Sequence, residues 1–190
     1  MKIRCVPVEV VPYRGEWPTQ FARVAEQLWE ALAGMDSVRV EHVGSTAVPG
    51  LAAKPVLDID VIVPTDTMHE AVIALSGIGY RHRGHLGLVG REAFYPPDDD
   101  PRRNVYVCEA GSLNVRNHLA VRDVLRTRDD LRDLYSAVKS TLAADPDMDI
   151  DTYIEGKTDV LQLVLAESPI LNGAERRQIA SLNRGPSAKE

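Results

Sequence analysis

The segment LDIDVIV, residues 57–63, constrains this chain more than any other. Leu57, Ile59, Val61, Ile62 and Val63, with Val56 just before them, give it the composition of a buried β-strand, yet Asp58 and Asp60 lie two residues apart inside it. Residues i and i+2 of a strand point to the same side, so the two carboxylates project together. Burying such charges is costly unless cations or hydrogen bonds compensate. A divalent cation is a common answer for adjacent carboxylates at a strand end. The fold must therefore build a sheet around this strand and bring positive charge to one of its faces.

The residues before it fit that demand. A short strand, Val38-Val40-His42, leads into Gly44-Ser45-Thr46 and then into the Pro/Gly-rich connector TAVPGLAAKP. A Gly-Ser turn lets backbone N–H groups approach a phosphate with no Cβ in the way, and the hydroxyl adds a donor. Lys54 is a cation close enough in sequence to reach the same phosphate. Asp58 and Asp60 are the candidate ligands of Mg²⁺ or Mn²⁺, and such ions bridge and activate phosphates.

Composition sets outer limits. The chain has 190 residues, a length suited to one domain, with a net charge of −6. That charge argues against binding nucleic acid through a broad basic surface. No apolar run is long enough to cross a bilayer, and the N-terminus has no signal-peptide core. Cys5 and Cys108 are far apart in sequence and read as reduced thiols, which predicts a cytoplasmic protein.

In chain order, residues 3–11 read as an edge strand or arm, with Pro7 and Pro12 limiting its pairing. Pro18 opens a helix whose apolar stripe is Phe21, Ala25, Leu28, Trp29 and Leu32, with Gly34 as its stop. A second helix carries Met68, Val72, Leu75 and Ile78. Residues 80–95 read as a strand or hairpin, 96–103 as a loop and 104–108 as a strand. Helices follow: one capped by Ser112 or Asn114, one carrying Leu131, Leu134, Tyr135, Val138 and Leu142, and one from Asp149 or Asp151 through Tyr153, Ile154, Leu161 and Val164 or Leu165. A short helix after Pro169 precedes a fraying tail. The expected class is α/β (α+β): a small mixed sheet with helices packed on it over about residues 1–110, and a helical part over 111–185, in one domain spanning 1–185.

The phrase EHVGSTAVPGLAAKPVLDIDV resembles the GrpB family, within the DNA polymerase beta-like nucleotidyltransferase superfamily. VPYRGEWPTQF, Gly79-Tyr80, Gly90-Arg91, NHLAVRDVLR and Tyr153-x-x-x-Lys157 carry the resemblance through most of the chain. It implies a minimal nucleotidyltransferase fold, a nucleoside triphosphate and an acceptor of unknown identity as partners, and a monomer or small homo-oligomer. The chain also departs from the superfamily pattern. Active members usually carry a third carboxylate on a later strand, but strand 104–108 offers Asn104 and Tyr106, where many GrpB relatives have two histidines. Glu109, by strict alternation, faces the other way.

Each candidate has a plainer reading. His42 serves equally well as a site residue or as a satisfied histidine orienting the turn, while Glu41 points opposite to it and reads as structural. Arg81, Arg83 and Arg91 form either a triphosphate clamp or a solvated hairpin, with Arg91 preferred for the clamp. Arg122 reads first as a structural ion-pair former and second as a cleft residue. Tyr153 and Lys157 read as packing plus a charge at the cleft rim. The run Asp98–Asp100 reads as a solvated loop, and His69, His82, His85 and His118 show no metal spacing among themselves. The leading expectation is a metal-dependent nucleotidyltransferase with Asp58 and Asp60 as catalytic metal ligands. The alternative is a nucleotide- or phospholigand-binding protein of the same fold without turnover.

Overall fold

The structure, a computed structural model, describes residues 8–183. A five-stranded sheet has the order β1-β2-β5-β4-β3. Its strands are β1 (Arg39–Val43), β2 (Leu57–Val63), β3 (Arg81–Gly84), β4 (Arg91–Tyr95) and β5 (Arg103–Glu109). The central pair β2 and β5 is parallel, and every other pairing is antiparallel. The mixed sheet and the hairpin over 80–95 are as the sequence pattern predicts. The expected strand over 3–11 lies partly outside the described residues. Within them, Val11 makes only an isolated bridge to Ala53.

Helices α1 (Trp17–Ala31) and α2 (Met68–Gly77) cover one face of the sheet. Between them and the sheet lies the main core, which includes Leu28, Ile59, Val61, Leu75, Phe94 and Val105. These strand residues alternate with Asp58 and Asp60, so burying one face of β2 aims both carboxylates at the other. The remaining helices are α3 (Leu113–Thr127), α4 (Asp129–Ala143), α5 (Ile150–Gly156), α6 (Thr158–Ala166) and α7 (Gly173–Asn183). The Ser112 hydroxyl caps α3 by accepting from the Val115 N–H, and Asp149 caps α5.

Two expectations need correction. The helix expected from Asp149 through Leu161 breaks at Lys157 into α5 and α6. Gly156 ends α5 pressed against Leu142, where an added Cβ would meet the leucine side chain at 2.8 Å. Trp29, placed in the apolar stripe of α1, is 45% exposed, while Leu28 beside it is buried. Leu134 beside Tyr135, and Ile154 beside Tyr153, repeat this arrangement. Neighbouring helical positions lie about 100° apart, so only one of each pair reaches the core.

The connector between β1 and β2 ties the two parts of the chain together. Val48 and Leu51 are fully buried among Val124, Leu125, Tyr135 and Val164 of the helical part. The Ser136 hydroxyl accepts from the Ala52 N–H at 2.9 Å, and Arg126 donates twice to the Ala47 carbonyl. The Gly-Ser turn is thus clamped by helices from the other end of the sequence.

Candidate functional site

Gly44 stands against Asp58. It has φ +70, and an added Cβ would run into the Asp58 carboxylate, with the Asp58 Cβ and Cγ only 3.0 Å away. Glycine at this position lets the turn and the carboxylate touch. Asp58 is half-buried and accepts a bond from Asn104 Nδ2 at 2.9 Å. Burial raises its pKa, and the Asn104 amide offsets part of that rise. Asn104 lies directly opposite Asp58 in the β2–β5 register, with Tyr106 opposite Asp60. The position from which a neighbouring strand would supply a third acid therefore carries an amide donor. Glu109 is on the other face and accepts from the Thr65 hydroxyl at 2.6 Å, while Glu92 is held by His82 at 2.6 Å.

Asp60 is buried completely, at 0% exposure. His118 Nδ1, from α3, sits 2.7 Å from its Oδ2, and its Oδ1 has no hydrogen-bond partner. Burial opposes protonation of His118, but attraction to Asp60 and the bond to it prevail and raise the pKa. One turn along α3, Arg122 donates to Glu41 at 2.7 Å and to the His42 carbonyl at 3.1 Å. Glu41 lies opposite Asp60 across the β1–β2 pair, so it shares the dyad's face. Burial pushes its pKa up, yet bonds from Arg122 and Arg39 outweigh this and hold it low. Arg122 thereby joins α3 to β1 through an ion pair. His118, dismissed for want of metal spacing, is one of two residues that sequence reasoning missed. Its signal is the i, i+4 spacing with Arg122, which sends both side chains toward the same sheet face.

A cleft of about 480 Å³ opens beside Asp58. Ser45, Thr46 and Lys54 line it from the turn and connector, and Asp58 and Asn104 from the sheet. Lys139, Tyr153 and Lys157 line it from the helices. Lys139 also escaped the sequence reading as a site residue. It is 1% exposed, donates to Ser45 Oγ at 2.9 Å and to the Ala52 carbonyl, and lies 4.3 Å from the Tyr135 ring centroid. Lys157 stands the same distance over Tyr153. The repeated Tyr-x-x-x-Lys spacing, 135/139 and 153/157, was the available signal.

Burial lowers the Lys139 pKa to about 7, with repulsion from Lys157 adding to the effect. Burial lowers Lys157 to about 8 despite the attraction of Asp58. Among the described residues, none of Lys54, Lys139 and Lys157 has a carboxylate within ion-pair distance. Asp58 and Asp99 are the carboxylates that line the same cleft, so the lysines leave it with an excess of positive charge.

Other candidates fall elsewhere. His42 faces the core side, stacked on Phe21 at 4.7 Å with Nε2 3.0 Å from Thr46 Oγ1. Burial, reinforced by Arg126 and Arg122, lowers its pKa to about 4, so it is a neutral brace for the turn and does not line the cleft. Arg91 also lies outside the cleft, with its guanidinium 4.6 Å from the Tyr106 ring centroid on the dyad's face of the sheet. Asp98 is not merely a solvated loop residue: both its oxygens accept from buried Arg103, which holds its pKa down at about 2. Cys108 is a buried free thiol, and Cys5 lies outside the described residues. No helix among the described residues is long and apolar enough to cross a membrane.

The donor set can be tested against the implied metal. No group of three or more His, Cys, Asp or Glu among the described residues is arranged to hold an ion. Asp58 and the unpartnered Oδ1 of Asp60 supply two hard oxygen sites. Mg²⁺ characteristically takes one or two carboxylates and completes its shell with water and substrate phosphate. The residues therefore fit one such ion held jointly with a phosphate.

The pattern described as "GrpB protein" matches residues 7–167. The chain is 38% identical over 166 residues to the UPF0157 protein SCO7215 of Streptomyces coelicolor, covering 87% of this chain and 84% of that one. It spans only 44% of the length of another relative, the UPF0157 protein YqkA of Bacillus subtilis. The crystal structure of GrpB from Enterococcus faecalis superposes with TM-score 0.71 at 31% identity, covering 84% of this chain and 98% of that one. The Cid1 poly(U) polymerase, in a structure with MgGTP bound, superposes with TM-score 0.50 at 14% identity, over 68% of this chain and 43% of that one. That likeness extends to the fold.

Proposed function

The chain belongs to the GrpB family and has a nucleotidyltransferase-type fold, and from that premise we propose that it is a nucleotidyltransferase whose cleft receives the triphosphate of an NTP. The observation that carries this reading is the convergence of Ser45, Lys54, Lys139 and Lys157 beside Asp58 in one cleft. Lys139 and Lys157 are held there by helices, so their charges need no reorganisation when a polyphosphate arrives. Ser45 is fixed by the Lys139 bond, and Gly44 keeps the turn against Asp58.

Asp58 and Asp60 are the residues that would hold a divalent cation, which when bound polarises phosphate oxygens and neutralises their charge. His118 fixes Asp60 and leaves its other oxygen unpartnered, while Asn104 fixes Asp58. In the proposed reaction an acceptor oxygen forms a bond to the α-phosphorus. The bond from that phosphorus to the bridging oxygen of the β-phosphate breaks, and pyrophosphate leaves with the electron pair. The acceptor's proton passes to a carboxylate of the pair. The lysines hold the departing pyrophosphate.

Asn104 in the third acid's place favours a second reading, in which the cleft binds a nucleotide or phospholigand without turnover. Pyrophosphate release separates the two. With each NTP, Mg²⁺ or Mn²⁺ and a panel of acceptors, transfer predicts release that Asp58→Asn and Asp60→Asn abolish. Saturable NTP binding with no release from any acceptor supports binding alone.

A further inference from the structure

The dyad's face of the sheet has a second half. Helix α3 covers the end near Ile62, Cys108 and Val115, and Tyr106 packs against the border of that cluster. Away from it, the register carries the face outward from Asp60 through Tyr106 to Ala93 on β4. Two residues along β4, Tyr95 points the same way and pairs with Arg81 on the edge strand β3. Arg91 shares that side by alternation, and Arg83, at the bulge between His82 and Gly84, is brought to it by its contact with Tyr95. The guanidinium carbons of Arg81 and Arg83 lie 4.9 and 4.3 Å from the Tyr95 ring centroid, and that of Arg91 lies 4.6 Å from the Tyr106 centroid.

We infer that this open face is the acceptor site, and that the acceptor presents a nucleotide unit to it, with its base stacked on the Tyr95–Tyr106 platform and its phosphate held by Arg81, Arg83 and Arg91. The role as acceptor site rests on the proposed nucleotidyl transfer; the binding itself does not. Tyr95 is 47% exposed, unusual for an aromatic ring on a sheet, and Tyr106 is half-buried. Among the described residues, Arg81, Arg83 and Arg91 have rings as neighbours and no carboxylate within ion-pair distance, and Arg91 Nε is buried without a partner. Arg103, Arg122 and Arg128, by contrast, each hold a carboxylate.

Charge on an edge strand also guards against edge-to-edge pairing, but that purpose needs no tyrosine ring within 4.9 Å of two guanidiniums. Aromatic rings and guanidinium planes on an open sheet face are the surfaces on which unpaired bases stack. From strand spacing and rise, the Cα atoms of the two tyrosines lie roughly 8 Å apart, which limits the footprint to one or two nucleotides. So small a site is compatible with the net charge of −6, which excludes a broad basic surface.

The test is fluorescence anisotropy of labelled five-nucleotide single strands, RNA and DNA, on the full chain at low salt. It is run without NTP or divalent cation, so its failure is visible separately from failure of the cleft. Competition by UMP and AMP identifies the source. Mononucleotides that displace the strand at comparable concentration indicate a nucleotide-bearing small acceptor, and weaker displacement indicates a strand end. Tyr95→Ala is expected to weaken binding about tenfold, in the range of one lost stacking contact, while Tyr95→Phe stays near the parent. Arg81→Gln/Arg83→Gln is expected to flatten the salt slope by ~1.4, from two lost phosphate contacts. Far-ultraviolet circular dichroism confirms that each variant is folded. Absence of binding, equal binding by Tyr95→Ala and parent, or equal competition by base-free tripolyphosphate each overturns the inference.

Discussion

Asp58 and Asp60 stand between two cationic regions built on different principles. On the cleft side are lysines, two of them sunk beside tyrosine rings with pKa values lowered by burial. On the open face are arginines lying against the rings of Tyr95 and Tyr106. Lysine is a compact point charge that responds to burial, and arginine is a permanently charged plane that stacks and forks. The first arrangement suits a compact polyphosphate that enters and neutralises the cluster. The second suits a flat ligand with a phosphate at its edge. In the proposed transfer, the dyad flanked by both is the point between the two ligands.

The most damaging way to break this arrangement is at the hinge between turn and dyad. Gly44→Ala puts a Cβ into the Asp58 carboxylate at a positive φ, so a loss of ~2–4 kcal/mol in chemical denaturation is expected, together with loss of NTP binding. Lys139→Met separates binding from folding. It removes a buried charge without a large change of volume, so stability should move by no more than ~1 kcal/mol, whereas NTP affinity measured by calorimetry should fall at least ~10-fold.

pH probes the lysine side alone. Lys139 and Lys157 lose their protons with pKa values of about 7 and 8. A phosphate cluster binds their charged forms, so NTP affinity should weaken as pH rises from 6.5 to 9, and binding near pH 7.5 should take up protons. The same shift makes stability rise with pH. Between the folded pKa and the ordinary lysine value the unfolded chain binds more protons, so unfolding becomes less favourable as pH increases through that window. Arg91→Ala gives the smallest change on the cleft side: within ~3-fold in NTP affinity, because its guanidinium lies over Tyr106.

The sheet, most helices and the dyad were legible because each is written in local periodicity. LDIDVIV alternates core and site residues, and the Gly-Ser turn precedes it at short range. What stayed hidden depends on distant partners. His118 meets Asp60 across 58 positions, and Lys139 meets Ser45 across 94. Neither pairing leaves a trace near its partner, although the i, i+4 spacings His118/Arg122 and Tyr135/Lys139 were on view. Arg91 was drawn toward the phosphates by its motif, but the position of β4 beyond β5 sets it on the far side of Tyr106. His42 could not be assigned from sequence because its role depends on which face of β1 is buried.

Thermal unfolding with each NTP, in the presence and absence of Mg²⁺, decides whether the lysine cleft and Asp58 form one metal-dependent NTP site. At 100 times Kd a bound ligand adds ~2.7 kcal/mol. The parent is expected to show a saturable rise in Tm with Mg²⁺ and at least one NTP, and Asp58→Asn to lose it. No rise with any NTP and either Mg²⁺ or Mn²⁺, or an undiminished rise in Asp58→Asn, would contradict such a site.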